Sequence, residues 1–196
     1  MTGCSADPDT PETTNRRSPD QLPAPAAPAM ISPVETDPPA AADPTAAPRL
    51  VVEAEGMRWF LPASGSAHPI AFGSPQSELI GSLERIRGSA RKGTNENCGA
   101  GPVEVATWQD GLTVIFQNGR FVGWGFGQSA TGEIATAAGI RPGSTRAELD
   151  GAYDVTVSQT TLGSEFNAGG LQGLLDGPSA DARIIDMWAG VSCVAR

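Results

Sequence analysis

The stretch GSPQSELIGSL, Gly73–Leu83, aligns without gaps with GSTRAELDGAY, Gly143–Tyr153, and the two share Gly, Ser, Glu, Leu and Gly at five of eleven positions. The shared positions have a local physical meaning. Ser74 and Ser144 can each accept a hydrogen bond from a free backbone N–H at a helix start, Pro75 suits the first helical position, and Glu78 and Glu148 favour the positive end of the helix dipole. Leu79, Leu83 and Ile86 fall on one face at i, i+4 and i+7, as do Leu149 and Tyr153. The repeat therefore predicts two short helices, each laying an apolar face on a sheet.

Runs of strand character follow each helix. After the first come PVEVATW (102–108), LTVIFQ (112–117) and RFVGWGF (120–126), separated by Asp110-Gly111 and Asn118-Gly119, pairs favoured in tight hairpin turns that need positive φ. After the second come DVTVSQT (154–160), an FNAGGLQGLLD segment (166–176) and ARIIDMWAG (182–190). The expected fold class is α+β: two tandem repeats of a short helix followed by an antiparallel β meander, after a disordered N-terminal tether. Repeat 1 covers about 70–135 and repeat 2 about 140–195 of a globular part spanning 49–196.

Composition changes sharply at Arg49. Residues 5–48 hold 11 of the 17 prolines, no aromatic residue and no glycine, and such a stretch buries too little apolar surface to offset the entropy of ordering it. It reads as an extended, acidic Pro/Ala/Asp-rich tether. All four Trp, all six Phe and the one Tyr lie beyond it, in a part long enough for a single hydrophobic core.

Across the 196 residues the formal net charge is -9, with only 13 Lys and Arg. Nucleic acid is an unfavourable partner for that balance, as is a bare anionic lipid surface. No apolar run is long enough to span a bilayer. The first four residues, Met1-Thr2-Gly3-Cys4, nevertheless resemble the lipobox of bacterial lipoproteins with Met in place of Leu; TTG encodes Leu inside a gene and is read as Met at a start codon. Residues 1–4 then read as a lipobox-like remnant, and Cys4 as a lipidation site that anchors the chain to a membrane facing the periplasm or exterior.

Helix-plus-strand units opened by G-S-x-x-[SA]-E-L and hung on a lipoprotein-like N-terminus resemble the beta-lactamase inhibitor protein type of fold, over roughly residues 70–195. The resemblance implies a two-repeat α+β architecture in a bacterial envelope protein. That family's inhibitory contacts and its one disulfide per repeat have no match here, so beta-lactamase inhibition is not carried over.

Three cysteines leave one over if two are bridged, and lipidation of Cys4 resolves the parity. Cys98 and Cys193 then pair in an oxidising compartment, or stay as two buried thiols in a cytosolic protein. The polar surroundings of Cys98 in TNENCGAG favour the bridge, because an unpaired thiol there is open to oxidation.

Catalytic signatures are weak. The single histidine, His68, sits before a proline, and no zinc-ligand spacing, Walker A loop or nucleophile elbow occurs. GFGQSA (Gly125–Ala130) fits G-x-G-x-x-A with Glu148 and Asp150 about 20 residues on, which makes a nucleotide-dependent dehydrogenase the enzyme alternative. The fingerprint should follow the first strand of a βαβ unit, and here it follows the third strand of a meander. No catalytic residue, cofactor or metal ligand is assigned.

Strand parity offers a binding surface instead. Trp124 shares a face with Arg120 in RFVGW, Trp108 with Glu104 in EVATW, and Trp188 with Asp186 in DMW. Trp beside charge on three strands is expected on a water-facing sheet, and Trp and Arg commonly anchor interfaces. Trp108, Arg120, Trp124 and Trp188 are thus the expected partner-binding residues, for a protein or cell-wall partner; packing of the rings as core is the competing expectation. The function expected is a membrane-tethered envelope lipoprotein acting as a non-catalytic protein-binding or inhibitory module.

Overall fold

A computed structural model describes residues 47–127, 130 and 134–193; Cys4 and residues 5–46 of the tether lie outside the described residues. Three strands open the domain: β1 (Arg49–Glu53), β2 (Gly56–Leu61) and β3 (Ser66–Ala71). Helix α1 (Gln76–Arg87) precedes β4 (Arg91–Asn95), β5 (Val103–Thr107), β6 (Leu112–Gln117) and β7 (Arg120–Phe126). Helix α2 (Arg146–Ala152) precedes β8 (Thr156–Thr160), β9 (Gly163–Ala168), β10 (Leu171–Leu175) and β11 (Ile184–Gly190).

The strands form a three-stranded sheet, β1-β2-β3, and an eight-stranded sheet in the order β4-β5-β6-β7-β11-β10-β9-β8. Every pairing of named strands is antiparallel. This corrects the expected α+β domain of two helix-and-meander repeats: the fold is mainly antiparallel β, with a separate sheet ahead of the first helix and helices of only 12 and 7 residues. The physical reason lies in the weight of the turn chemistry. Hairpins join most of the successive strands between Arg49 and Gly190, whereas the helices are too short to stand without the sheet under them.

Local rules still place most elements. Asn118 and Gly119 both take positive φ, 53° and 70°, the conformation that a two-residue hairpin between β6 and β7 requires. At the helices, however, the caps differ from expectation. Pro75 occupies the N-cap of α1 with no side-chain cap, and the Ser74 hydroxyl instead donates to the Ala71 carbonyl at 2.7 Å. Thr145, not Ser144, caps α2, in a capping box with Glu148. The Glu148 carboxyl is held below its ordinary range by the Thr145 backbone N–H and then by the Thr145 hydroxyl.

The Gly-Ser pairs of the two aligned stretches act as strand clamps. Gly73 donates to Phe121 and receives the Arg120 guanidinium on its carbonyl, while Ser74 accepts from Phe121 N–H. Gly143, Ile184, Arg183 and Ser144 make the same three bonds at the second helix. Each clamp ties a helix entrance to a central strand of the large sheet.

The main core packs Leu79, Leu83 and Leu149 of the helices with Val114, Phe116 and Phe121 of the large sheet and Val52 and Met57 of the small one. Ile86, expected on the same helix face, is 51% exposed. A second apolar cluster contains Cys98, Val103 and Ile115, with Val122, Val191 and Cys193 packed on it. Cys98 and Cys193 are disulfide-bonded across 95 positions, with Cα atoms 4.8 Å apart.

Candidate functional site

Strand parity in the small sheet builds a cleft. Arg49 lies opposite Phe60 and Val51 opposite Arg58, so these four side chains share one face, while Leu50 and Val52 turn inward to the core. Along the free edge of β1 runs the segment 134–141, joined by a hydrogen bond from Val52 N–H to the Ala135 carbonyl at 3.1 Å. That segment closes on itself: Thr136 N–H donates to the Ile140 carbonyl, Ile140 N–H donates back to the Thr136 hydroxyl, and Gly139 supplies the positive φ of 82°.

The cleft along this edge holds about 810 Å³ and is lined by four arginines, Arg49, Arg58, Arg87 and Arg141. No acidic side chain lies among the described lining residues, in a chain whose net charge is -9. Two of the four guanidinium groups are held from outside the lining. Arg58 Nη2 meets both carboxylate oxygens of Glu53 at 2.5 Å, and Arg87, in the last turn of α1, is paired with Asp110. Burial pulls the Arg87 guanidinium below its ordinary pKa. Arg49 and Arg141 are exposed and have no ion-pair partner among the described residues. The Nε atoms of Arg58 and Arg87 are buried and lack an acceptor among the described residues.

The expected tryptophan face is not open. Trp124 is fully buried and donates its indole N–H to the Glu53 carbonyl at 2.8 Å. Register explains the error: Phe116 pairs Phe121 and Ile115 pairs Gly123, so Val122 is an extra residue that breaks the alternation between Arg120 and Trp124. Trp108 lies past the end of β5, is buried, and donates to the Gly88 carbonyl at 2.9 Å. Trp188 does share a face with Asp186, opposite Met187 and Ala189 of the main core, yet it is also buried, and its indole nitrogen has no acceptor among the described residues. Arg120 is exposed and serves the Gly73 clamp. The four residues therefore do not form one accessible surface.

Other sequence candidates scatter. His68 is exposed on β3, opposite Trp59. Gly125 and Phe126 lie within β7, which is paired antiparallel on both sides, so GFGQSA does not form the strand-to-helix turn of a dinucleotide site; Gln128 and Ser129 lie outside the described residues. Among the described residues no three His, Cys, Asp or Glu side chains come together as a metal-binding group. The cleft arginines were missed because they come from positions 49, 58, 87 and 141. The one available signal was alternation in RLVVE and GMRWFL, which places Arg49 and Arg58 on the same face once the strands are paired.

Asp186 beside Trp188 is partly buried, and that burial raises its carboxyl above the ordinary carboxylate range. The charged form is thus the one the fold penalises, so the stability is greatest below the unfolded-state pKa and falls as pH rises through the folded-state value. Asp186→Asn is expected to melt higher than the parent at pH 7, by less than about 1 kcal/mol because the group is partly solvated, with the difference vanishing near pH 3. Thermal melts at the two pH values check it; a constant difference would contradict it.

Comparison with family models, with curated proteins and with solved structures finds no match.

Proposed function

We propose that the chain is a bacterial cell-envelope lipoprotein, with Cys4 acylated, the following residues serving as a tether, and the β domain acting as a non-catalytic binding module on the periplasmic or exterior side of a membrane. The observation that carries this reading is the Cys98–Cys193 bond. A bridge of this kind persists in oxidising compartments, and it uses both cysteines of the domain, leaving Cys4 of the lipobox-like Met1-Thr2-Gly3-Cys4 as the one outside it. Acylation supplies stable attachment when two or more chains insert.

The chemistry of the cleft supports binding over turnover. Its described lining consists of guanidinium groups, apolar side chains, a glycine and the Thr136 hydroxyl. Guanidinium stays protonated throughout the neutral range, so the lining offers donors that hold a ligand and no side chain suited to shuttling a proton. The partner of this module is a protein or cell-wall component within reach of the tether.

Metabolic labelling in the native host with a fatty acid carrying an alkyne tests the anchor. The parent chain is expected to take up label and sediment with membranes, and Cys4→Ala to lose both. Equal recovery of unlabelled parent and variant in the soluble fraction would contradict it.

A further inference from the structure

We propose that the arginine-lined cleft binds a small organic anion, one carboxylate or phosphate group on an apolar body, and that Arg49 and Arg141 take up its charge. The inference deepens the binding-module reading and rests on it for its biological setting, but the site is defined by geometry that does not depend on the anchor.

Charge is the first argument. Glu53 and Asp110 neutralise Arg58 and Arg87 from outside the lining, so among the described residues Arg49 and Arg141 leave the cleft with an uncompensated positive charge. A concave positive site in a chain of net charge -9 focuses the field on a small anion, while the acidic remainder disfavours a polyanion such as nucleic acid. The Glu148 carboxylate is hydrogen-bonded to Thr145 and makes no ion pair with Arg141.

Shape and polarity are the second. Phe60, Val51 and Ile134 add apolar wall to the guanidinium groups, and about 810 Å³ accommodates a ligand with an apolar portion beyond a bare inorganic ion.

Titration calorimetry on the full-length chain with its disulfide intact tests the assignment, using 4-phenylbutyrate and phenyl phosphate as anionic probes and 4-phenylbutan-1-ol as the neutral one. At least one anionic probe is expected to saturate a single site below about 10 mM, and the neutral probe to bind at least about tenfold more weakly. Arg49→Gln/Arg141→Gln is expected to weaken the anion by at least about tenfold with an unchanged melting temperature. Arg91→Gln, an exposed arginine on β4 outside the lining, should leave affinity unchanged.

No saturable binding of either anion, equal affinity for the alcohol, or full affinity in the double variant would each overturn the proposal. If the double variant melts lower, Arg49→Lys/Arg141→Lys decides the matter: retained charge with partial recovery of affinity supports the site, and no recovery overturns it. Failure of fatty-acid labelling, by contrast, removes the anchor and leaves these affinities where they are.

Discussion

Replacing Cys98 and Cys193 together by alanine is expected to lower the unfolding free energy by about 3 to 5 kcal/mol, because their bond closes a loop of 95 positions whose entropy in the unfolded chain it restricts. In a domain of this size that corresponds to a fall of about 10 °C in melting temperature. The location reinforces the effect. Cys98 stands between β4 and β5 at one edge of the large sheet, while Cys193 follows β11 at its centre. Without the bond, the second apolar cluster of Val103, Ile115 and Val191 loses its covalent tie. Guanidinium denaturation of the parent with and without reductant gives the same comparison without mutation, and coincident midpoints would contradict it.

Trp124→Ala is expected to cost about 3 to 5 kcal/mol, the range for removing a fully buried large aromatic side chain. Two losses combine at this position. The ring packs edge-on against Phe126 with centroids 5.8 Å apart, and its N–H is the donor to Glu53 at the end of β1, joining the large sheet to the small one. Trp124→Phe keeps most of the packing but leaves that carbonyl without its donor, and should cost about 1 to 2 kcal/mol. Denaturant melts of both variants check the order; a Trp124→Ala chain as stable as the parent would contradict the burial. Since the same ring was expected on a docking surface, its loss should register in folding before it registers in any partner.

How far the chain announces its structure depends on what each segment needs. β6 and β7 match the expected LTVIFQ and RFVGWGF residue for residue, because Asn118-Gly119 states the turn between them and both strands carry apolar residues. The bridge of Cys98 to Cys193 followed from parity and the polar setting of TNENCGAG. By contrast β2 and β3 escaped notice: the runs are short, Pro69 falls inside β3, and Arg58 interrupts the apolar pattern. β4, RKGTN, has no apolar residue and exists as an edge strand by pairing with β5. Missing that first sheet meant missing the cleft, since β1 and β2 bring Arg49 and Arg58 together and the β1 edge receives 134–141. The tryptophan face failed for a narrower reason. One bulged residue, Val122, reverses the parity on which Trp124 was placed.

Export is the claim on which the functional account depends, and it is most directly tested by peptide mass spectrometry of protein isolated from its native host, alkylated and digested without reductant. The expected result is a cross-linked pair of peptides containing Cys98 and Cys193, recovered from the membrane fraction together with an N-terminal peptide whose Cys4 carries acyl mass. Alkylated Cys98 and Cys193 in a soluble chain with unmodified Cys4 would contradict it.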